Sequence, residues 1–370
     1  MKKEKTHMPV LVNLDGNSHN ECGKQLRGKS TMKELFGTDQ KNGPVYLYTL
    51  ENENLILKTT DFGAACVSII DKKTGIDILK GFDSYEGYRD QHDSHLGGSI
   101  GRTANRIRNA SFALNGKTYH ITVNDCGKNN LHGGIGFDRR MFEAEESESS
   151  IVYTRLSRDM EEGYPGNLLV KISYILHKDG VEIKAEGTAK DQDTIFAFTN
   201  HNYYNVDGCD EDSVLDQQLM IHADAYAEND ADGVSLAVNK PVENTPFDFR
   251  TFKAVGKDIQ TDDAQLRQCH GYDHHFAVNG TGMREFSVIA GKKLEMSVWS
   301  DFPGMHVYTA NFLSETNGKH HHDMVPHSAI CFEPEYRPDG INEEEVLEKP
   351  IVRKGENLAH TIRLYIKERD

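Results

Sequence analysis

One histidine lies in a segment whose residue types suit a polar ligand. Within Phe196–Asn205, His201 is surrounded by amides, a threonine and two tyrosines, just before a turn at Asp207-Gly208. A sugar ring needs aromatic faces and hydrogen-bonding side chains from a protein. An imidazole in such a place can move a proton near neutral pH. The segment therefore suggests proton-transfer chemistry, which requires partner groups elsewhere in the chain.

A glutamate near the C-terminus is a suitable partner. The apolar run Ala329–Phe332 leads to Glu333, and Pro334 follows directly. Because proline has no N–H for a sheet ladder, we expect the strand to end there with Glu333 at its terminus. A carboxylate among aromatic residues at a strand end is well placed as a general base. The alternative is a charged residue that only closes an edge strand.

Three further polar segments contain groups that can bind hydroxyls. Asn105 and Arg106 follow a glycine turn, and a guanidinium offers a rigid set of donors to vicinal hydroxyls. His132 precedes two glycines, which let the backbone approach a ligand closely. Asp273, between a tyrosine and two histidines, can accept from hydroxyls or cap a turn. In isolation, each segment is equally typical of an ordinary surface loop.

Two other patterns point to different chemistry, but neither has the neighbouring sequence features that this chemistry requires. Gly97–Gly101 matches the G-x-S-x-G nucleophile elbow of hydrolases, centred on Ser99. That motif needs a strand before it, but the preceding residues 88–95 are too polar for a buried strand. His320–Asp323 suggests a metal, but no further ligand lies at a recognisable spacing, so we interpret it as an exposed loop.

The elements that must position these residues are short strands. Alternating apolar and polar residues recur, turn residues separate the runs, and long helical periods are scarce. Asn115-Gly116 between two such runs predicts a hairpin. The pattern predicts an all-β fold, a large antiparallel sandwich or barrel. The clearest predicted strands are Val45–Leu50, Asn54–Thr59, Ala64–Ile70, Leu168–Leu176, Val181–Ala189, Gln217–Ala223, Leu294–Ser300, His306–Asn311 and Ala359–Ile366.

The 370 residues show no internal repeat and no linker that would divide them. Residues 1–37 are polar and lack periodicity, so we expect a poorly ordered extension, in which Met32 is a candidate internal start. Residues 38–370 are predicted to form one β-sandwich catalytic domain.

The net charge and the apolar runs of the chain disfavour some classes of partner, and its cysteines indicate a cellular compartment. With 42 basic and 58 acidic residues the formal net charge is −16, which disfavours nucleic acid and anionic membranes. There is no apolar run near the roughly 20 residues needed to cross a bilayer, and no apolar signal core follows the charged N-terminus. The six cysteines are widely spread, as is typical of reduced thiols in a cytoplasmic protein.

Taken together, the motifs resemble the galactose mutarotase (aldose 1-epimerase) family from about Leu50 to Tyr365. No single motif is specific, but six in the family's order are. They are Gly101–Ile107 (G-R-x-A-N-R-I), Asn130–Gly134 continued by Gly136–Asp138 (N-x-L-H-G-G), Thr199–Asn205 (T-N-H-x-Y-F-N), Thr245–Arg250, Gly271–His274 and Cys331–Glu333.

The resemblance implies a single large β-sandwich, the galactose mutarotase-like supersandwich, with a sugar cleft on one concave face. It implies that His201 is the general acid and Glu333 the general base, with His132 assisting at the ring oxygen. Asn105, Arg106 and Asp273 would hold hydroxyls of a free aldohexose, galactose or glucose. The family requires no metal and no organic cofactor.

The chain departs from the family pattern at three places. His306 lies near a position where the family often has glutamine, and we include it among the substrate-binding residues. Glu335 also replaces a common glutamine, and Val234–Ala237 replaces the usual P-T-G. These departures leave the proton-transfer pair intact and bear on which sugar is bound.

The implied reaction opens a hemiacetal and closes it again. The anomeric hydroxyl loses a proton while the ring oxygen gains one, and the aldehyde then rotates before reclosure. Glutamate suits the base and histidine suits the acid. A sugar-binding or sugar-sensing sandwich without turnover is the main alternative, and a Ser99-dependent hydrolase is a weaker one.

Overall fold

The computed structural model describes residues 30–92 and 94–369, which form antiparallel sheets with two short α-helices. The all-β prediction is confirmed. The helices are α1 (Tyr85–Asp90) and α2 (Ala264–Cys269), and short 3-10 turns lie at Arg108–Ala110, Phe137–Arg139, Glu161–Gly163 and Lys319–His321. The strands are β1 (Ser30–Asp39), β2 (Gly43–Glu51), β3 (Leu55–Thr60), β4 (Ala65–Asp71), β5 (Ser99–Ile100), β6 (Arg106–Ile107), β7 (Ser111–Leu114), β8 (Lys117–His120), β9 (Asn130–Leu131), β10 (Glu143–Glu146), β11 (Ser150–Ser157), β12 (Leu168–His177), β13 (Gly180–Ala189), β14 (Thr194–Ile195), β15 (Thr199–Asn200), β16 (Tyr203–Tyr204), β17 (Gln218–Ile221), β18 (Ala223–Asn229), β19 (Ser235–Pro241), β20 (Lys253–Ala254), β21 (Asp273–Val278), β22 (Arg284–Ala290), β23 (Leu294–Ser300), β24 (Gly304–Tyr308), β25 (Ile330–Glu335), β26 (Ile351–Val352) and β27 (Asn357–Glu368).

Two large sheets supply most of the core. A nine-stranded sheet has the order β10-β11-β12-β13-β27-β23-β22-β17-β20, and a six-stranded sheet has the order β16-β25-β24-β21-β18-β19. One apolar cluster contains Ile172 and Val298 from the first sheet and Val307 and Phe332 from the second. The sheets therefore pack against each other through alternate residues of their strands, as in a sandwich.

The N-terminal strands extend this core. Strands β1 to β4 form a four-stranded meander in chain order, and the Asn115-Gly116 turn joins β7 and β8 as the sequence predicted. Strand β1 pairs with β2 from Ser30↔Glu51 to Asp39↔Gly43. The predicted boundary at residue 37 therefore falls inside a strand, and residues 1–29 of the predicted extension lie outside the described residues.

Two observations bear on the environment of the chain. Across residues 30–92 and 94–369, no helix is long and apolar enough to cross a membrane. Five cysteines of the described part are free thiols, namely Cys66, Cys126, Cys209, Cys269 and Cys331.

Candidate active site

Three strands of the six-stranded sheet carry a row of polar side chains. Glu333 on β25 pairs with His306 on β24, which in turn pairs with His275 on β21. Paired residues point to the same face of a sheet, and so do residues two positions apart. Glu335 and Asp273 therefore join this row, while the residues between them face the apolar core. We call this the sheet side of the site.

The position of Glu333 corrects one sequence expectation. Pro334 was expected to end the strand at Glu333, but β25 continues to Glu335, and Pro334 pairs with Met305 on β24. On its other edge β25 pairs with β16 only at Ile330 and Cys331. Pro334 thus lies where the strand has a paired neighbour on one side, which sheets tolerate.

The histidines come from short, irregular segments on the opposite side, the loop side. His201 follows β15, and its backbone N–H donates to the Gly98 carbonyl at 2.9 Å. His132 follows β9, and its Nδ1 accepts from the backbone N–H of Asn105 at 3.2 Å. Both His132 and Asn105 have positive φ, at 51° and 55°, which asparagine and histidine adopt more readily than most residues. Hydrogen bonds between distant loops therefore place these side chains.

The two sides line an open cavity of about 180 Å³. His201 Nε2 lies 3.7 Å from Glu333 Oε1, and the Tyr203 ring stacks on His201 with centroids 5.0 Å apart. One ligand-type atom each of His132, His201 and Glu333 lies within 4.8 Å of the others. Every predicted site residue lines this cavity: Asn105, Arg106, His132, His201, Asp273, His306 and Glu333.

Burial shifts the pKa values of Glu333 and His201 in opposite directions. Burial, with the charge of Asp273 adding to it, raises the pKa of Glu333 well above its usual range. Burial and the neighbouring His95 lower the pKa of His201 to about 3. Burial therefore favours a protonated Glu333 beside a neutral His201. Glu333 Oε2 and His201 Nδ1 are buried without a hydrogen-bond partner among the described residues.

The pKa of Asp273 is lowered, in contrast to that of the other buried carboxyl group, Glu333. Burial alone would raise its pKa, but the hydrogen bond from His306 and the charge of Arg106 outweigh it and lower the pKa to about 2. His306 Nε2 lies 2.6 Å from Asp273 Oδ1. The guanidinium of Arg106 also reaches Asp125 Oδ2 at 3.2 Å. Asp273 is therefore a fixed negative charge at the cavity wall.

Comparison with known proteins agrees with this geometry. A family model described as aldose 1-epimerase matches residues 46–365. The galactose mutarotase of Rattus norvegicus is 33% identical over 345 residues, which cover 90% of this chain and 97% of that protein. The aldose 1-epimerase of Haemophilus influenzae is 35% identical over 312 residues, covering 82% and 89% of the two chains. This chain belongs to the aldose 1-epimerase family.

The fold supports the same assignment, and the resemblance predicted from the motifs is confirmed. The crystal structure of galactose 1-epimerase from Lactobacillus acidophilus superposes with a TM-score of 0.82 at 25% identity. It covers 93% of this chain, which covers all of that one. As a member of this family the protein is an isomerase, and aldose 1-epimerases interconvert the α and β anomers of aldoses.

Sequence reasoning missed one histidine of this epimerase site. His95 lines the cavity, and its ring centroid lies 4.7 Å from that of His132 and 5.9 Å from that of His201. Its Nδ1 pairs with Asp138 Oδ2 at 2.8 Å. Nothing in the polar segment around His95 signals a role. The available signal was Asp138, which ends the motif that continues the His132 loop.

Among the residues that the structure describes, two groups of side chains have the composition of a metal site. His132, His201 and Glu333 form one, and they are also the groups that acid–base chemistry requires. Cys209, Asp210 and His320 form the other, which includes part of the histidine run that the sequence placed in an exposed loop. In this second group His320 Nδ1 lies 3.0 Å from Asp210 Oδ2, the geometry of a surface ion pair.

The hydrolase alternative conflicts with the surroundings of Ser99. Its side chain is fully buried in β5, and Oγ donates to the Ala64 carbonyl at 2.9 Å. A nucleophile elbow instead exposes its serine at a sharp strand-to-helix turn. After β5 the chain makes only the short strand β6 and a 3-10 turn at Arg108–Ala110. Ser99 is therefore part of the packing behind the His201 loop.

Proposed function

We propose that this epimerase opens and recloses the ring of a free aldohexose, galactose or glucose, with Glu333 as base and His201 as acid. The observation that carries the proposal is the 3.7 Å separation of His201 Nε2 and Glu333 Oε1 within one cavity. The anomeric and ring oxygens are bonded to the same carbon, so the groups that serve them must converge. A pair of groups this close can reach both oxygens of one bound sugar.

The pair carries a single proton through the cycle. In ring opening, Glu333 removes the proton from the anomeric hydroxyl while His201 gives one to the ring oxygen. Glu333 is then protonated and His201 neutral, which is the form that burial favours. The aldehyde rotates about its C1–C2 bond, and reclosure on either face returns both protons. No proton has to be exchanged with solvent.

Ring opening starts from the charged form of the pair, which burial disfavours. Hydrogen bonds from substrate hydroxyls to the carboxylate of Glu333, which lines the cavity, would stabilise this form. The imidazolium of His201 can likewise donate to a sugar oxygen from Nε2, the nitrogen that lies near Glu333. Substrate binding thus supplies the partners that make proton transfer possible at the moment it is needed.

We assign His132 a supporting role at the ring oxygen. Burial, followed by the neighbouring His95, lowers its pKa well below the usual range, so the ring is neutral near pH 7. Its Nδ1 accepts a backbone N–H, which places the proton on Nε2. His132 is therefore a hydrogen-bond donor that adds no positive charge beside His201. Asp273, as a carboxylate, would accept from sugar hydroxyls, with Arg106 beside it.

Polarimetry of freshly dissolved pure anomers tests the function. The protein should bring α- and β-galactose or α- and β-glucose to equilibrium faster than buffer alone. A panel of aldoses then identifies the preferred sugar. A protein that binds these sugars by calorimetry but leaves the rate at the buffer value would instead be a sugar sensor.

We further propose that the enzyme works in the cytoplasm. The five free thiols of the described residues fit a reducing compartment. Microscopy of the fluorescently tagged full chain checks this, and a secreted signal would contradict it.

A further inference from the structure

A chain of hydrogen bonds leads from the buried end of the sheet side to Asp273. Asp273 Oδ1 lies 2.6 Å from His306 Nε2, and His306 Nδ1 lies 3.2 Å from Asn105 Nδ2. Asn105 Nδ2 is also 3.5 Å from Glu335 Oε1. We call this chain, Glu335–Asn105–His306–Asp273, the relay. It crosses from β25 through the loop side to β24 and β21, and it ends at the cavity.

The chemistry of each group fixes the direction of every bond. Asp273 is a carboxylate and only accepts, so His306 Nε2 carries a proton. The Asn105 amide nitrogen only donates, so His306 Nδ1 is the unprotonated acceptor. The backbone N–H of Arg106 donates to Asn105 Oδ1 at 2.8 Å, which fixes the orientation of the amide. A flipped amide would set two N–H groups against each other.

Asn105 therefore has little capacity left for a ligand. One of its amide hydrogens points to His306 and the other to Glu335, while its oxygen already accepts a backbone N–H. Both nitrogens of His306 are occupied in the same way. These two residues line the cavity, but their polar atoms are directed at the protein.

Glu335 anchors the relay at its far end. Its side chain is fully buried, and Oε1 also lies 3.6 Å from His275 Nδ1 and 3.9 Å from His306 Nδ1. The two positions where the sequence departs from glutamines common in the family, 306 and 335, are thus neighbours in one cluster. The carboxyl group of Glu335 and the imidazole of His306 make hydrogen bonds here that glutamine side chains could also make.

We infer that Glu335, Asn105 and His306 act as positioning residues that orient the Asp273 carboxylate toward the sugar. The inference rests on the proposed function, because a bound sugar defines what Asp273 holds. A carboxylate held in one orientation before binding loses less freedom when the ligand arrives. Asp273 meets hydroxyls that do not react, so it holds ground state and transition state alike.

This role predicts a specific kinetic signature. Loss of uniform binding raises KM and leaves kcat unchanged, whereas loss of a proton-transfer group lowers kcat. Glu335→Leu removes the acceptor for Asn105 and should raise KM for galactose or glucose about 10-fold, the equivalent of one buried hydrogen bond. Its kcat should stay within about twofold. Glu335→Gln keeps an acceptor oxygen and should retain KM within about twofold.

The paired variants separate positioning from general destabilisation. Urea unfolding of Glu335→Leu and Glu335→Gln shows whether each variant folds, and polarimetry at varied sugar concentration gives kcat and KM. Equal KM for Glu335→Leu, Glu335→Gln and the parent would overturn the relay. A fall in kcat with unchanged KM in Glu335→Leu would overturn it as well.

A double substitution tests whether the groups act as one chain. His306→Leu alone should also raise KM, and His306→Gln, which can donate to Asp273 and accept from Asn105, should raise it less. The double variant Glu335→Leu/His306→Leu should resemble the more affected single variant, because the second change breaks an already broken chain. KM increases that simply multiply would contradict the relay.

These results are distinguishable from failure of the proposed function. If Glu333→Gln equilibrates anomers at the parent rate, the assignment of the base is wrong whatever the relay variants do. If Glu333→Gln abolishes turnover and all relay variants keep the parent KM, the proposed function stands and the relay is wrong.

Discussion

The two sides of the cleft hold their functional groups by different means. On the sheet side, Glu333, His306 and Asp273 lie on adjacent long-paired strands, and their neighbours in sequence are buried in the core. On the loop side, His132 and His201 follow two-residue strands and are placed by individual backbone hydrogen bonds. A sheet fixes side chains collectively, whereas each loop needs its own anchor.

Arg102 is the strongest anchor on the loop side. It is fully buried beside the loop that carries Asn105, and its guanidinium donates to Ser157 Oγ at 3.0 Å and to Thr194 Oγ1 at 3.1 Å. It also donates to the carbonyls of Pro165 at 2.8 Å and Arg158 at 2.7 Å. Burial lowers its pKa to about 10, so it remains charged near neutral pH.

The greatest loss of activity is expected for His201, the proposed acid on the loop side. His201→Gln keeps a side chain that can form hydrogen bonds but cannot carry the proton. We expect kcat for mutarotation to fall by about 10²–10⁴, the usual contribution of one positioned acid or base. KM should change little, in contrast to the relay variants. A kcat within about tenfold of the parent would contradict the acid assignment.

The second effect concerns the anchor. Arg102→Met leaves several buried acceptors without their donor, and we expect the free energy of unfolding to fall by about 2–4 kcal/mol. Urea unfolding measures this. Arg353→Met, at a half-exposed arginine paired with Asp193, is the matched control and should cost about 0.5 kcal/mol or less. Equal losses in the two variants would refute the anchoring role.

The difference between regular sheets and irregular loops also explains which features the sequence predicted. Regular alternation located β12, β13 and β23 almost to the residue, because one face of each strand is buried. It also placed Glu333 on a strand. It put that strand's end too early, because Pro334 is tolerated where β25 has a neighbour on one side only. The burial pattern thus predicts the long strands of the nine-stranded sheet well, whereas β24 was predicted as His306–Asn311 and is Gly304–Tyr308.

The loop side carries no comparable periodic signal. The motifs named His132 and His201, but the bond between His132 and Asn105 and the pairing of His95 with Asp138 join loops distant in sequence. Only the assembled fold brings them together. The hydrogen bonds of the relay could not be predicted from the sequence for the same reason, since residues 105, 306 and 335 come from three separate segments.

A smaller effect is expected behind the His201 loop. Ser99→Ala removes one buried hydrogen bond to the Ala64 carbonyl and should cost about 1 kcal/mol of stability. Mutarotation should remain within about twofold, because the hydroxyl faces away from the chemistry. Urea unfolding and polarimetry check the two parts. An esterase activity that disappears in this variant would favour the hydrolase alternative.

The smallest expected effect is the response to mild acid. An ordinary histidine takes up a proton near pH 6.5. Because the pKa of His201 is lowered to about 3, the pair of His201 and Glu333 takes up a second proton only at a much lower pH. The value of kcat/KM, corrected for the buffer rate, should therefore change by less than about twofold between about pH 7 and pH 5. A fall with a midpoint near 6.5 would show that His201 is not shielded as its burial indicates.

The central claim is that one buried carboxyl and one imidazole share the proton that moves. Glu333→Gln tests it most directly, with anomer equilibration followed by polarimetry and sugar binding by calorimetry. We expect kcat to fall by about 10²–10⁴ with the sugar still bound. Near-normal equilibration by Glu333→Gln would contradict it.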